Sequence, residues 1–152
     1  MYEHFRALAV HQAQFHKVHL EAWGASPSPA VIESLFEGLI YDGLWLTKFP
    51  LLFTPGYGVT RLAALDKARM AGKQGTSVTS EVLQLRPLVD RDMVKFLLAL
   101  KPADLEKQVE IFFGGRAMNK SLWKYLAVWF EHGAVLRGSL SGTPGMLDTV
   151  FE

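Results

Sequence analysis

Between Lys120 and Gly142 the sequence repeats large apolar residues at the step of an α-helix. Leu122, Tyr125, Leu126, Trp129, Gly133, Leu136 and Leu140 recur at intervals of three and four, which collects them on one face. His132 stands beside that face, one turn before Leu136, and Arg137 and Gly138 follow where the helix is expected to end. A helix so apolar on one side must bury that side, so the rest of the chain has to supply partners for it. If the protein has a chemical site, one wall of it is expected here.

The same period runs through three earlier segments. A first helix is expected over about Glu3 to Trp23, with Phe5, Leu8, Gln12, Phe15, His19 and Trp23 on one stripe, His16 at its edge and Gly24 as the stop. A second helix should start at Pro29, capped by Ser28, because proline lacks an N–H that the first helical position does not need. This segment is apolar nearly all round: Val31, Leu35, Gly38, Asp42, Trp45 and Phe49 form one stripe and Ile32, Phe36, Ile40 and Leu44 another. Burial on both sides follows, against the rest of the chain and against a second copy. Pro50 is expected to end it. Residues 51–79 then form a long connection, with a short helix predicted over Thr60–Met70 and a basic tint from Arg61, Lys67, Arg69 and Lys73 that reads as a solvated face. A third helix is predicted from about Ser80 to Leu100, capped by Thr79 or Ser80, kinked or delayed by Pro87 and stopped at Lys101–Pro102. A helical turn at 103–108, then a short extended excursion around Gly114–Gly115, leads into the last helix. The ending GTPGMLDTVFE is expected to lie back over the end of the helices. Four long helices with one long crossover, between the second and third, make an all-α four-helix bundle the expected fold, as a single domain over residues 1–152.

Composition excludes several chemistries. With no cysteine, there is no disulfide, thiolate zinc site or cysteine nucleophile. Sixteen basic and fifteen acidic residues leave a net charge of +1, which argues against bulk attraction to nucleic acid or to an anionic membrane. No segment reaches the roughly 18 uninterrupted apolar residues of a membrane span, and the start MYEHFRALAV lacks the basic-then-apolar order of a signal peptide, so a cytoplasmic protein is expected. A hydrophobic fraction of 49% with four tryptophans points to a large core, a buried oligomer interface or both.

Two sets of polar residues stand out against the apolar pattern. His16 and His19 invite a metal reading, set against the plainer one of hydrogen-bonded histidines at a packing surface, which is favoured because their own stripe carries no acidic partner. Glu37 and Asp42 are carboxylates in an apolar helix. A buried carboxylate must be paired, metal-bound or protonated, and for Asp42 a hydrogen bond that fixes a neighbouring element accounts for it.

In order and spacing, several stretches resemble the DinB-like family of four-helix bundles. EGLIYDGLWLTKF (37–49) is similar to that family's second-helix pattern, His-x4-Asp-x2-Trp-Leu and a basic residue. LRPLVDRDMVKFLLALKPADLEKQV (85–109) resembles its third helix and following turn. EHGAVLRGSL (131–140) resembles its closing His-x3-His-Arg-Gly-Gln signature, and GTPGMLDTVFE its tail. In that family three histidines commonly hold a divalent metal. Carried onto this chain, the resemblance implies Glu37 and His132 as ligand positions, while the third falls on Leu136, which cannot ligate; Arg137 and Gly138 are kept and Ser139 replaces the final glutamine.

Three readings of function follow, of which the first, the family's metal-dependent enzyme class with a degraded site, is the expectation and the third its alternative. A metal site built from Glu37 and His132, completed by His16 or His19, would take zinc, nickel, manganese or iron, and the resemblance then implies a hydrolase or a low-molecular-weight-thiol transferase. A metal-free pocket would set Glu37 and His132 as a hydrogen-bonded pair beside a small-molecule ligand. A non-catalytic homodimeric bundle with a binding or structural role is supported by Leu136, which extends the apolar stripe. Nucleic acid and membrane are not expected as partners.

Overall fold

The computed structural model describes residues 1–24, 27–53, 66–67, 70 and 78–139. It is mostly helical: α1 (Tyr2–Trp23), α2 (Pro29–Phe53), α3 (Thr79–Ala99) and α4 (Leu122–Ser139), with a 3₁₀ turn (Pro102–Glu106) and a two-stranded hairpin between α3 and α4. The short helix expected over Thr60–Met70 lies largely outside the described residues, and the 142–152 tail wholly so.

Each helix forms where its periodic face finds a partner. α1 buries Phe5, Ala9, Gln12, Phe15, His16 and His19 and stops at Gly24. At the start of α2 the Ser28 hydroxyl accepts from the Val31 N–H at 3.3 Å, satisfying one of the orphan donors of the first turn. α3 buries Val82, Leu85, Val89, Met93, Phe96 and Leu97, and α4 buries Leu122, Tyr125, Leu126, Trp129 and Phe130. Leu122, Leu126 and Trp129 are 0% exposed, and burial at that level contributes about 1.5–3 kcal/mol per large side chain. α3 lies against both α1 and α2, and α4 closes against α2 and α1. Among the described residues, no helix is long and apolar enough to cross a membrane.

Three local expectations are corrected. α2 runs through Pro50 to Phe53 instead of ending at the proline. α3 is one helix with Pro87 inside it, so the proline does not delay its start; apolar burial on either side of it holds the turn that loses a hydrogen bond. Neither Thr79 nor Ser80 caps α3: the helix already includes both, and Val78 precedes it without a side-chain cap. The second apolar stripe of α2 is covered unevenly, Ile32 being buried and Leu44 38% exposed.

The extended excursion is an antiparallel hairpin, β1 (Gln108–Phe113) with β2 (Arg116–Ser121). Gly114 and Gly115 take φ of 60° and 79°, the left-handed pair that a two-residue turn matched to strand twist requires. Val109 and Ile111 point inward and Phe112 is 65% exposed. The Tyr125 hydroxyl sits 2.9 Å from the Val109 carbonyl oxygen and 3.0 Å from that of Met118, tying the hairpin to α4.

Candidate functional site

One carboxylate joins all four helices. Asp42 on α2 is 3% exposed. Its Oδ1 accepts from the indole N–H of Trp129 on α4 at 2.7 Å. Its Oδ2 accepts from Arg86 Nη2 on α3 at 2.6 Å and from Gln12 Nε2 on α1 at 3.1 Å. The network extends in both directions. Arg86 Nη2 also donates to Asp90 Oδ1 at 2.7 Å, and Asp90 Oδ2 lies 2.8 Å from His16 Nδ1. On the other side Gln12 Oε1 accepts from Arg137 Nη1 at 2.6 Å.

Helical spacing explains why these residues meet. Arg86 and Asp90 are one turn apart on the face that also carries Val82, Val89 and Met93, so they are carried inside with it. Gln12 lies on the buried stripe of α1 between Ala9 and Phe15. Two arginines face two aspartates, so the cluster is charge-balanced when His16 is neutral. Burial pushes the His16 imidazole below its ordinary value of 6.5; Asp90 opposes that and the Arg86 guanidinium adds to it. For Asp90, burial works the other way, but the Arg86 charge beside it and then His16 hold its carboxyl below the ordinary value. Arg86, despite complete burial, is held above its ordinary value by Asp90 and Asp42. Desolvation offsets much of the attraction within buried pairs of this kind, so their net contribution to stability is small unless one partner is removed.

Gly133 makes room for the network. A Cβ there would stand 2.9 Å from Gln12 Oε1 and 3.3 Å from Arg137 Nη1. Both atoms are pinned by their own bond, so neither can swing aside freely. Gly133→Ala is expected to lose about 1–2 kcal/mol even though alanine favours the helix by about 1 kcal/mol. Urea denaturation followed by tryptophan fluorescence measures it, and a more stable variant would show that the contact is loose.

The residues singled out for metal chemistry are distributed differently. Glu37 is exposed, because Gly38 faces α4 and one residue of helix turns the next side chain by about 100°. His132 is half-buried with its ring 3.9 Å from that of Tyr41. Leu136 packs inward, its Cδ1 3.3 Å from where a Cβ on Gly38 would stand. His16 is engaged by Asp90, and His19 Nδ1 lies 2.7 Å from the Phe15 carbonyl oxygen, where it donates. The acidic partner that the α1 stripe lacks is thus supplied to His16 by α3. Among the described residues, no three histidine, aspartate or glutamate side chains come together as a metal-holding group. Glu37 and His132 with Leu136 amount to two donors and an apolar side chain, short of the three protein ligands of an open catalytic site.

Gln12, Arg86, Asp90 and the Arg137 bond are not legible in the sequence as a site. The signal available there is polar residues in phase with buried stripes, at Gln12 on the first helix and at the Arg86–Asp90 pair on the third. The cluster can orient helices, since its two carboxylates and its imidazole are all bonded to one another or to Arg86, Gln12 and Trp129. Comparison of the chain with protein-family models, with curated proteins and with solved structures gives no match.

Proposed function

We propose that this chain is a DinB-like four-helix bundle, its helices ordered α1–α3–α2–α4 with a long crossover between α2 and α3, and that it works as a homodimeric binding or structural protein. The alternative drawn from the resemblance, a metal-dependent hydrolase or low-molecular-weight-thiol transferase, has less support. The observation that carries this reading is Leu136 against Gly38: apolar bulk fills the gap between α4 and α2 at the position where the resemblance assigns a ligand. Asp42 and Arg137, two residues in common with the family pattern, both belong to the buried network, so a packing role accounts for them without a metal. Val128 and Val135, both exposed and two turns apart on one face of α4, are the apolar surface that a further copy would cover.

Metal content of untagged protein purified without chelators, read by elemental mass spectrometry, tests this. The expected result is far less than one equivalent of zinc, nickel, manganese or iron per chain, with none retained after incubation and desalting. About one equivalent, lost in His132→Ala together with a fall in melting temperature, would reinstate the metalloenzyme. Leu136→His supplies the missing imidazole one turn from His132 and is expected to gain zinc or nickel affinity. If it gains none, the alignment of Glu37, His132 and Leu136 with the family's ligand positions is wrong.

A further inference from the structure

We infer that the groove between α1 and α3 binds a small carboxylic acid with an apolar body, an aromatic or medium-chain acid. This site is separate from the α2–α4 position, and the inference stands whether or not the family reading does.

The groove has a volume of about 340 Å³, at the small end of the roughly 300–1,000 Å³ typical of ligand sites. It exists because two facing positions carry little bulk: Ala13 on α1 and Pro87 on α3. With Leu20 they give an apolar surface for the body of a ligand. Each wall then brings one cation to the opening, Lys17 from α1 and Arg91 from α3. Both are exposed, and neither is in an ion pair among the described residues.

The anions of the groove are unequal. Asp90 also lines it, but its oxygens are bonded inward to Arg86 and His16, so its charge is compensated from below. Glu21, one turn beyond Lys17, is the remaining anion. The uncompensated lining is therefore two cations against one anion over an apolar floor. A carboxylate head with a compact apolar body matches that pattern; a cation does not, and an uncharged molecule with the same body meets the apolar floor but gains nothing from the two cations.

Isothermal titration with sodium octanoate, and with octan-1-ol as the uncharged molecule of the same chain length, tests the assignment. Octanoate is expected to bind saturably at one per chain, and Lys17→Gln/Arg91→Gln is expected to weaken it about tenfold while leaving octan-1-ol unchanged. Ala13→Leu fills the groove and should abolish binding of both; circular dichroism checks that it folds, and if it does not, the double glutamine variant at two exposed positions decides alone. Three results overturn the inference: no saturable octanoate binding, octanoate binding unaffected by the glutamine pair, or octanoate retained in a folded Ala13→Leu.

Discussion

Asp42→Ala is expected to destabilise the protein by about 3–5 kcal/mol, because removing one partner of a buried ionic cluster leaves the others without theirs. Three donors from three helices lose their acceptor at once: the Trp129 indole, the Arg86 guanidinium and the Gln12 amide. Arg86 is left beside Asp90 alone, in a site where it is 1% exposed. At the usual entropy of unfolding for a chain of this size, that loss corresponds to a fall in melting temperature of roughly 10 °C. Glu37→Ala is the matched control. It removes a carboxylate from the same helix, five positions earlier, but from an exposed site, where changes usually stay within about 0.5 kcal/mol. Equal effects of the two substitutions in urea denaturation would refute the central place given to Asp42.

Arg86→Met should produce a loss of similar size near pH 7.5, about 3–5 kcal/mol, and its difference from the parent should narrow as pH falls. In the parent, His16 lies below its ordinary 6.5 and Asp90 below its ordinary 3.8. The unfolded chain therefore binds protons first at both groups. The contribution linked to neutral His16 is complete above about pH 6.5 and is lost as pH falls below it. The contribution linked to Asp90 is present above its unfolded value and is lost as pH falls through its lower folded value. Acid thus weakens the parent in two stages, the first beginning well above the carboxylate range. Without the guanidinium, Asp42 and Asp90 face each other with no cation between them, and His16 is freed from the charge that helps hold it neutral. Proton uptake by His16 or Asp90 then relieves the folded state of the variant. Stability measured by urea at pH 7.5, 6.5 and 5.5 should bring the two proteins together as pH falls. A gap that stays constant over that interval would mean that Arg86 acts through packing, not through charge.

The two aspartates also explain why the interior carries charge at all. An apolar set of the same shape could be as stable, but the bonds of Asp42 specify one residue on each of three other helices. Slipping α2 by one turn would break all three. That cost disfavours other registers of α2.

The helices themselves are legible in the sequence. Their faces repeat at the helical period over some twenty residues each, and burial of Leu122, Tyr125, Leu126 and Trp129 follows from chemistry that is local to the segment. The hairpin is legible too, from Gly114–Gly115 between extended runs. Ends are less so. Pro50 and Pro87 signal a break by local rules, and packing on either side of Pro87 outweighs a single missing hydrogen bond.

The polar cluster is out of reach for a different reason. Its bonds join residues 30, 44, 87 and 125 positions apart, and no local pattern in a single sequence encodes such pairings. Asp42 can be recognised as a carboxylate in need of a partner, but not which partners it finds. Glu37, equally conspicuous in the sequence, turns outward because its neighbour Gly38 takes the inward direction, and that direction is set by where α4 lies. By itself the sequence determined that four amphipathic segments would become helices and which face of each had to be buried. The tertiary structure decided which helix lies against which, and so whether each embedded polar side chain meets a partner, since that depends on distances across the core and not along the chain.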